Sequence, residues 1–209
     1  MGKHTAKSLF TANIQGAEEC LRIYEGVRKL GSTRDLDWLL RSAIVLAVSA
    51  MDAYFHDKIR YRAGRFNLFR AGQLTTQFLP KQFANLSIPL SELPRWEEGA
   101  RKGNVLRHWA VEYYGVRPLQ NPDAIASALK LVGIEDLWNT IEPVNPRRKV
   151  LLDRLETLVE RRNQIAHEGD RLQHRSSGKA LRPISYQQTT EEVEFVMQLV
   201  EEVERAFPK

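Results

Sequence analysis

The chain of 209 residues has a single cysteine, Cys20, so no intramolecular disulfide can staple it and no thiol pair can hold zinc. That usage fits a reducing cytoplasm, and beside Leu21 and Tyr24 on a helical face the thiol reads as a small core group. Long uncharged apolar runs are lacking too. The most apolar stretch, Trp38 to Phe55, is cut by Arg41 and Asp52 with only ten residues between them, too few to span a bilayer. The N-terminal MGKHTAKSLF is polar and basic with no apolar region behind it, so no secretory leader is expected. Its Met-Gly start lacks Ser or Thr at the sixth position, which argues against a myristoyl anchor. The expectation is a cytoplasmic protein with no membrane partner. No Asp/Glu/His group has metal-ligand spacing, and there is no Gly-rich phosphate loop, nucleophile elbow or internal repeat. No metal and no other cofactor is expected.

What the chain does have is positive charge in one place. The net charge is +5. Residues 146–182 hold ten Lys or Arg against five Asp or Glu, leaving 21 of each sign in the rest of the chain. The whole excess therefore lies in this segment, and a polyanion is the partner it favours. A solvated basic face is the plainer reading of the same residues.

Hydrophobic periodicity gives the framework. Ile14, Ala17, Leu21, Tyr24 and Val27 recur at three- and four-residue steps, predicting a helix over 5–30 that Gly31 stops. A second helix over 36–63, with Asp35 as N-cap, is apolar nearly all round between Trp38 and Phe55 and reads as the central core helix. Within it Asp52 and His56 share a face. An Asp in such a helix needs a partner, either His56 at the edge of the core or Arg162 or His167 of a later helix.

From 65 to 146 the signal weakens, with seven of the nine prolines between Gly64 and Pro146. Short helices are predicted at 104–114, 122–132 and 134–141, as an insertion between two bundle helices within one domain of 1–209. Trp96, Trp109, Tyr113 and Tyr114 lie beside Arg95, Arg101, Lys102 and Arg107, a set that suits either base stacking or core packing. A third main helix is predicted over 147–168. A basic segment with a turn at Ser176-Ser177-Gly178 follows it, and then a last helix from Thr189 with Glu192 as its capping-box partner.

The third helix ends in RRNQIAHEGD, residues 161–170. Asn163 and His167, four residues apart, share one face, and Arg162 sits about 100° round from Asn163. Metal-free RNA cleavage needs a base for the 2′-hydroxyl, an acid for the leaving 5′-oxygen and positive charge on the phosphorane-like transition state. Histidine titrates near neutral pH and moves protons either way. Arginine offers a planar, permanently charged fork to phosphate. Asn163 can position either group through its amide. The catalytic candidates are thus Arg162, His167 and Asn163, with Asp52 and His56 as support. Arg161, Arg171, Arg175, Lys179 and Arg182 are candidates for RNA backbone contacts. The same residues also suit an ordinary helix end, since Arg and His complement the macrodipole and Gly169 is a natural C′ residue. Arg101 and His108, with six residues between them, satisfy the loose spacing as well.

Arg162-Asn163-Gln164-Ile165-Ala166-His167 resembles the signature of the HEPN superfamily, and AVSAMDAYFHD over 47–57 is similar to the second-helix segment of its RiboL-PSP branch. The likeness covers about 5–64 and 147–207. It implies an all-α bundle of about four main helices that dimerises and brings two Arg/His motifs into one cleft. It also implies metal-independent RNA cleavage leaving a 2′,3′-cyclic phosphate, and a role as toxin or antiviral defence effector with a cognate antitoxin or defence partner. A two-fold axis would answer a chemical need, because one motif supplies one histidine where the reaction wants a base and an acid. The other reading is a non-catalytic HEPN-like module that binds RNA or protein, as an antitoxin-like component or scaffold.

Overall fold

A computed structural model describes residues 5–31, 35–63, 69–70, 73–74, 117–130, 134–172 and 180–207, with the side chains of 62–63 and of the four strand residues left aside. The fold is all-α. Among the described residues six helices carry it: α1 (Ala6–Lys29), α2 (Asp37–Ala63), α3 (Pro122–Lys130), α4 (Leu137–Ile141), α5 (Asn145–Glu168) and α6 (Tyr186–Ala206). Among the described residues, extended pairing is confined to a two-residue hairpin, Phe69–Arg70 with Gln73–Leu74, and a single antiparallel bridge, Arg171 with Leu181.

Side-chain contacts fix the directions of the four long helices. Phe10 meets Tyr54 edge-on with ring centroids 5.8 Å apart, so α1 and α2 run antiparallel. Lys7 reaches Glu201 at 2.7 Å, and Tyr24 stacks on Tyr186 at 5.5 Å, so α1 is antiparallel to α6 as well. Arg154 pairs with Glu192 near the middle of α5 and α6, while Arg161 reaches the Pro183 carbonyl just before α6 begins. The long helices therefore alternate up, down, up, down. The C-terminal ends of α1 and α5 and the N-terminal ends of α2 and α6 gather at one end of the bundle.

The core is built on α2. Leu40, Ala43, Val48, Met51, Tyr54 and Phe55 are fully buried, and α2 packs against α1, α3, α5 and α6. By length and composition Asp37–Tyr61 would suffice to cross a membrane, so Arg41 and Asp52 do not by themselves exclude it. Its burial among the other helices shows instead how the fold uses the apolar surface. Leu155, Leu158 and Val159 of α5 and Val193, Val196, Leu199, Val200 and Val203 of α6 complete the core. Truncating any of the large ones to Ala costs about 2–5 kcal/mol.

The sequence places α1, α2 and α5 to within one or two residues, and their ends have identifiable causes. Thr5 and Ser8 cap α1 reciprocally, and the Asp35 carboxylate accepts the Asp37 N–H at 3.0 Å before α2. Two helix starts need correction. The last helix begins at Tyr186, not Thr189: Ser185 accepts the Gln188 N–H, and the Thr189 hydroxyl, fully buried, donates back to the Ser185 carbonyl. Glu192 pairs with Arg154 rather than closing a capping box. The helix expected over 134–141 is confined to Leu137–Ile141, because Asp136 stands in the left-handed region at φ 52°. The helix expected over 104–114, the aromatics Trp96, Trp109, Tyr113 and Tyr114 with their basic neighbours, His108, and the Ser176-Ser177-Gly178 turn lie outside the described residues.

Candidate functional site

The last turns of α5 carry the cation, amide and imidazole. Gly169 closes the helix in the left-handed region at φ 62°, and Asp170 follows at φ 58°. The Gly169 and Asp170 N–H groups both reach back to the Gln164 carbonyl, the latter at 2.9 Å, which satisfies a carbonyl that the helix end leaves free. This stop leaves His167 in the final turn, exposed, with no hydrogen bond or ion pair among the described residues.

Arg162 and His167 are five residues apart, so on an ideal helix their side chains leave about 140° apart around the axis. Asn163 narrows that gap. Its Oδ1 accepts from Nη1 of Arg162 at 3.0 Å, which draws the guanidinium round toward the face that Asn163 shares with His167. Among the described residues Arg162 Nε lies out of solvent with no acceptor. An unpaired buried donor costs about 1–3 kcal/mol, and more when charged, so the described fold leaves this guanidinium incompletely satisfied.

Arg161, adjacent in sequence, is differently employed. Its Nη1 and Nη2 both donate to the Asp170 carboxylate, the latter at 3.0 Å, and Nη2 also reaches the Pro183 carbonyl. On the other side of Asp170, Arg41 of α2 donates from Nε to Oδ2 at 2.5 Å and from Nη2 to the Arg182 carbonyl at 2.9 Å. Asp170 is 1% exposed, so it is a buried carboxylate between two guanidinium groups. Sequence reasoning missed it, and missed Arg41 as its partner. The available signal was the arginine itself: a cation in an apolar helix needs an acceptor, the same argument that singled out Asp52.

The basic segment after the helix is tied to this junction. The Arg182 N–H donates to the Asp170 carbonyl at 2.8 Å, and the Leu172 N–H to the Ala180 carbonyl at 3.1 Å. The Arg182 guanidinium donates to the Arg171 carbonyl at 2.6 Å and approaches Glu168 at 3.5 Å. Arg171 is exposed and Arg182 half-buried at the same end of the bundle as His167, where α1 adds Arg28 and Lys29. Arg175 and Lys179 lie outside the described residues.

Asp52 and His56 are placed elsewhere. His56 Nε2 stands 3.7 Å from Asp52 Oδ1, and that oxygen accepts the Leu119 backbone N–H at 2.6 Å. Asp52 is eleven residues beyond Arg41, about 16 Å further along α2 at 1.5 Å per residue. The pair thus fastens the segment leading into α3, and it does not reach the α5 motif. Among the described residues, no group of three or more His, Cys, Asp or Glu side chains could hold a metal ion.

Compared with known proteins, residues 14–208 match a family model described as RiboL-PSP-HEPN. No curated protein and no solved structure matches the chain.

Proposed function

Since the chain belongs to the RiboL-PSP-HEPN family, which points to nuclease or RNA-related work, we propose that it is a metal-independent endoribonuclease acting as a homodimer. The observation that carries the reading is the state of Arg162. Asn163 holds one edge of its guanidinium, and among the described residues Nε is left unpaired and the exposed His167 of the next turn is unengaged. In this role Arg162 binds the scissile phosphate and stabilises the charge that develops on it. His167 takes the 2′-hydroxyl proton as that oxygen attacks phosphorus, and the 5′-oxygen leaves with a proton from the second histidine, giving a 2′,3′-cyclic phosphate.

One protomer offers one imidazole and one oriented guanidinium on an open surface. A two-fold axis at this end of the bundle supplies the second of each and closes the surface into a cleft. Arg171, Arg182, Arg28 and Lys29 surround that end and suit the RNA backbone. The family resemblance further supports a role as toxin or defence effector.

The test is cleavage of single-stranded RNA by purified protein in EDTA, with the product ends identified. Cleavage to cyclic phosphate ends, abolished in a folded His167→Ala protein, is the expected result. Undiminished cleavage by His167→Ala sinks the assignment. Salt-sensitive RNA binding without cleavage, unchanged by the substitution, gives the protein to the non-catalytic class.

A further inference from the structure

We infer that Arg41 and Asp170 are positioning residues for the Arg162/His167 site, an assignment that rests on the ribonuclease reading. Neither meets solvent enough to serve as a binding residue: the Arg41 side chain is 12% exposed and that of Asp170 1%. What they hold is the geometry around the motif. The Asp170 carboxylate joins Arg161, one residue before Arg162, to Arg41 of the core helix. Arg41 in turn grips the Arg182 carbonyl, and the Arg182 N–H returns to the Asp170 carbonyl. Three chain segments are locked together: the N-terminal half of α2, the last turns of α5 and the strand-like return at Ala180–Arg182.

His167 lies inside this lock. The stretch from Arg161 to Asp170 is closed on itself by an ion pair between its ends, and the closed stretch is bolted to α2 by Arg41. Without Arg41 the helix stop still forms, since it needs only Gly169 and the Gln164 carbonyl, but the turn is no longer fixed against the core. Arg182, whose guanidinium approaches Glu168 beside His167, loses its carbonyl anchor at the same time.

The fork of Arg41 gives a clean test. Lysine in its place keeps a cation beside Asp170, so the buried carboxylate stays compensated, but a single ammonium does not reproduce two donors set at fixed angles toward Asp170 and the Arg182 carbonyl. The experiment compares wild type, Arg41→Lys and Asp170→Asn in steady-state cleavage of a single-stranded RNA oligonucleotide in EDTA, well below each protein's unfolding midpoint. Amide hydrogen exchange at Leu172 and Arg182 is followed in parallel.

Expected are a fall in kcat of about tenfold or more, in line with misplacement of catalytic groups, and a KM within about twofold of wild type, because no RNA contact is removed. Exchange at Leu172 and Arg182 is expected to quicken while exchange within α1 does not. Unchanged kcat in both folded variants, with quickened exchange, shows a merely structural lock and overturns the assignment. Unchanged exchange in Arg41→Lys overturns it too, since Arg41 then does not hold the turn. Wild-type protein without His167-dependent cleavage fails the parent reading instead, and the positioning role falls with it.

Discussion

Lys58 Nζ donates to Glu204 Oε1 at 2.8 Å, at the end of the bundle opposite His167. The same oxygen accepts the Tyr54 hydroxyl at 2.8 Å, and Lys58 also donates to the Phe207 carbonyl. Burial, with Glu204 adding to it, pushes the Tyr54 phenol well above its ordinary range, so the hydroxyl stays a donor. Glu204→Leu removes the acceptor shared by a buried cation and a buried phenol. A loss of about 3 kcal/mol is expected, the size seen when one partner of a buried pair is deleted. Urea unfolding reads the loss, and RNA cleavage per folded molecule is expected to remain as in wild type.

Asp52→Ala separates the two readings of that carboxylate. The Leu119 N–H loses its acceptor at a buried position, for an expected loss of about 1–3 kcal/mol. Cleavage by the folded protein is expected to persist, because Asp52 serves the segment before α3. A folded Asp52→Ala protein that binds RNA normally and does not cut it would return Asp52 to the site.

Arg162→Lys keeps the positive charge and removes the planar fork that Asn163 orients. Loss of oriented transition-state stabilisation predicts a fall in kcat of about 100-fold. Denaturant midpoints are expected to stay near those of wild type, since the wild-type Nε is unpaired.

Asp57 gives a pH signature of stability. Burial raises its carboxyl above the ordinary 3.8, and Arg60 and His56 only partly oppose this. A raised acid favours the fold while protonated, and that contribution is lost as pH rises through the shifted value. Asp57→Asn is therefore expected to be more stable than wild type at neutral pH. The two should converge as pH falls below 3.8, where the carboxyl is protonated folded or unfolded. Urea midpoints across that range check the sign.

Gly169→Ala tests the helix stop by conformation alone. A Cβ there meets nothing within 4 Å, but φ is +62°. The expected loss is about 1–2 kcal/mol, the cost of a left-handed residue with a side chain. Gly169→Asn should lose less, because asparagine tolerates this region better.

The bundle was legible because its evidence is local. Ile14, Ala17 and Leu21 announce one buried face of α1, and the all-round apolar character of 38–55 announces a central helix. The motif was legible as residue types at a spacing. Less legible was everything settled by distant partners. Ser185 rather than Thr189 starts α6, where Tyr186 stacks on Tyr24 from the far end of α1. Asp170 looks like an ordinary turn residue until Arg41, 129 positions earlier, is seen to hold it. Arg161 looks like one more surface cation, and the fold commits it to that same carboxylate. Charge bookkeeping counts such residues correctly but cannot say which of them face solvent.

The ion pair between Arg161 and Asp170 has a consequence for chain length. It acts as a ruler: the nine-residue separation must both complete the helical turns and bring the carboxylate back over the guanidinium. One inserted residue between Asn163 and His167 would turn the imidazole about 100° around the axis and carry Asp170 out of register with both arginines. The interval from 161 to 170 therefore has its length set at both ends by the same carboxylate.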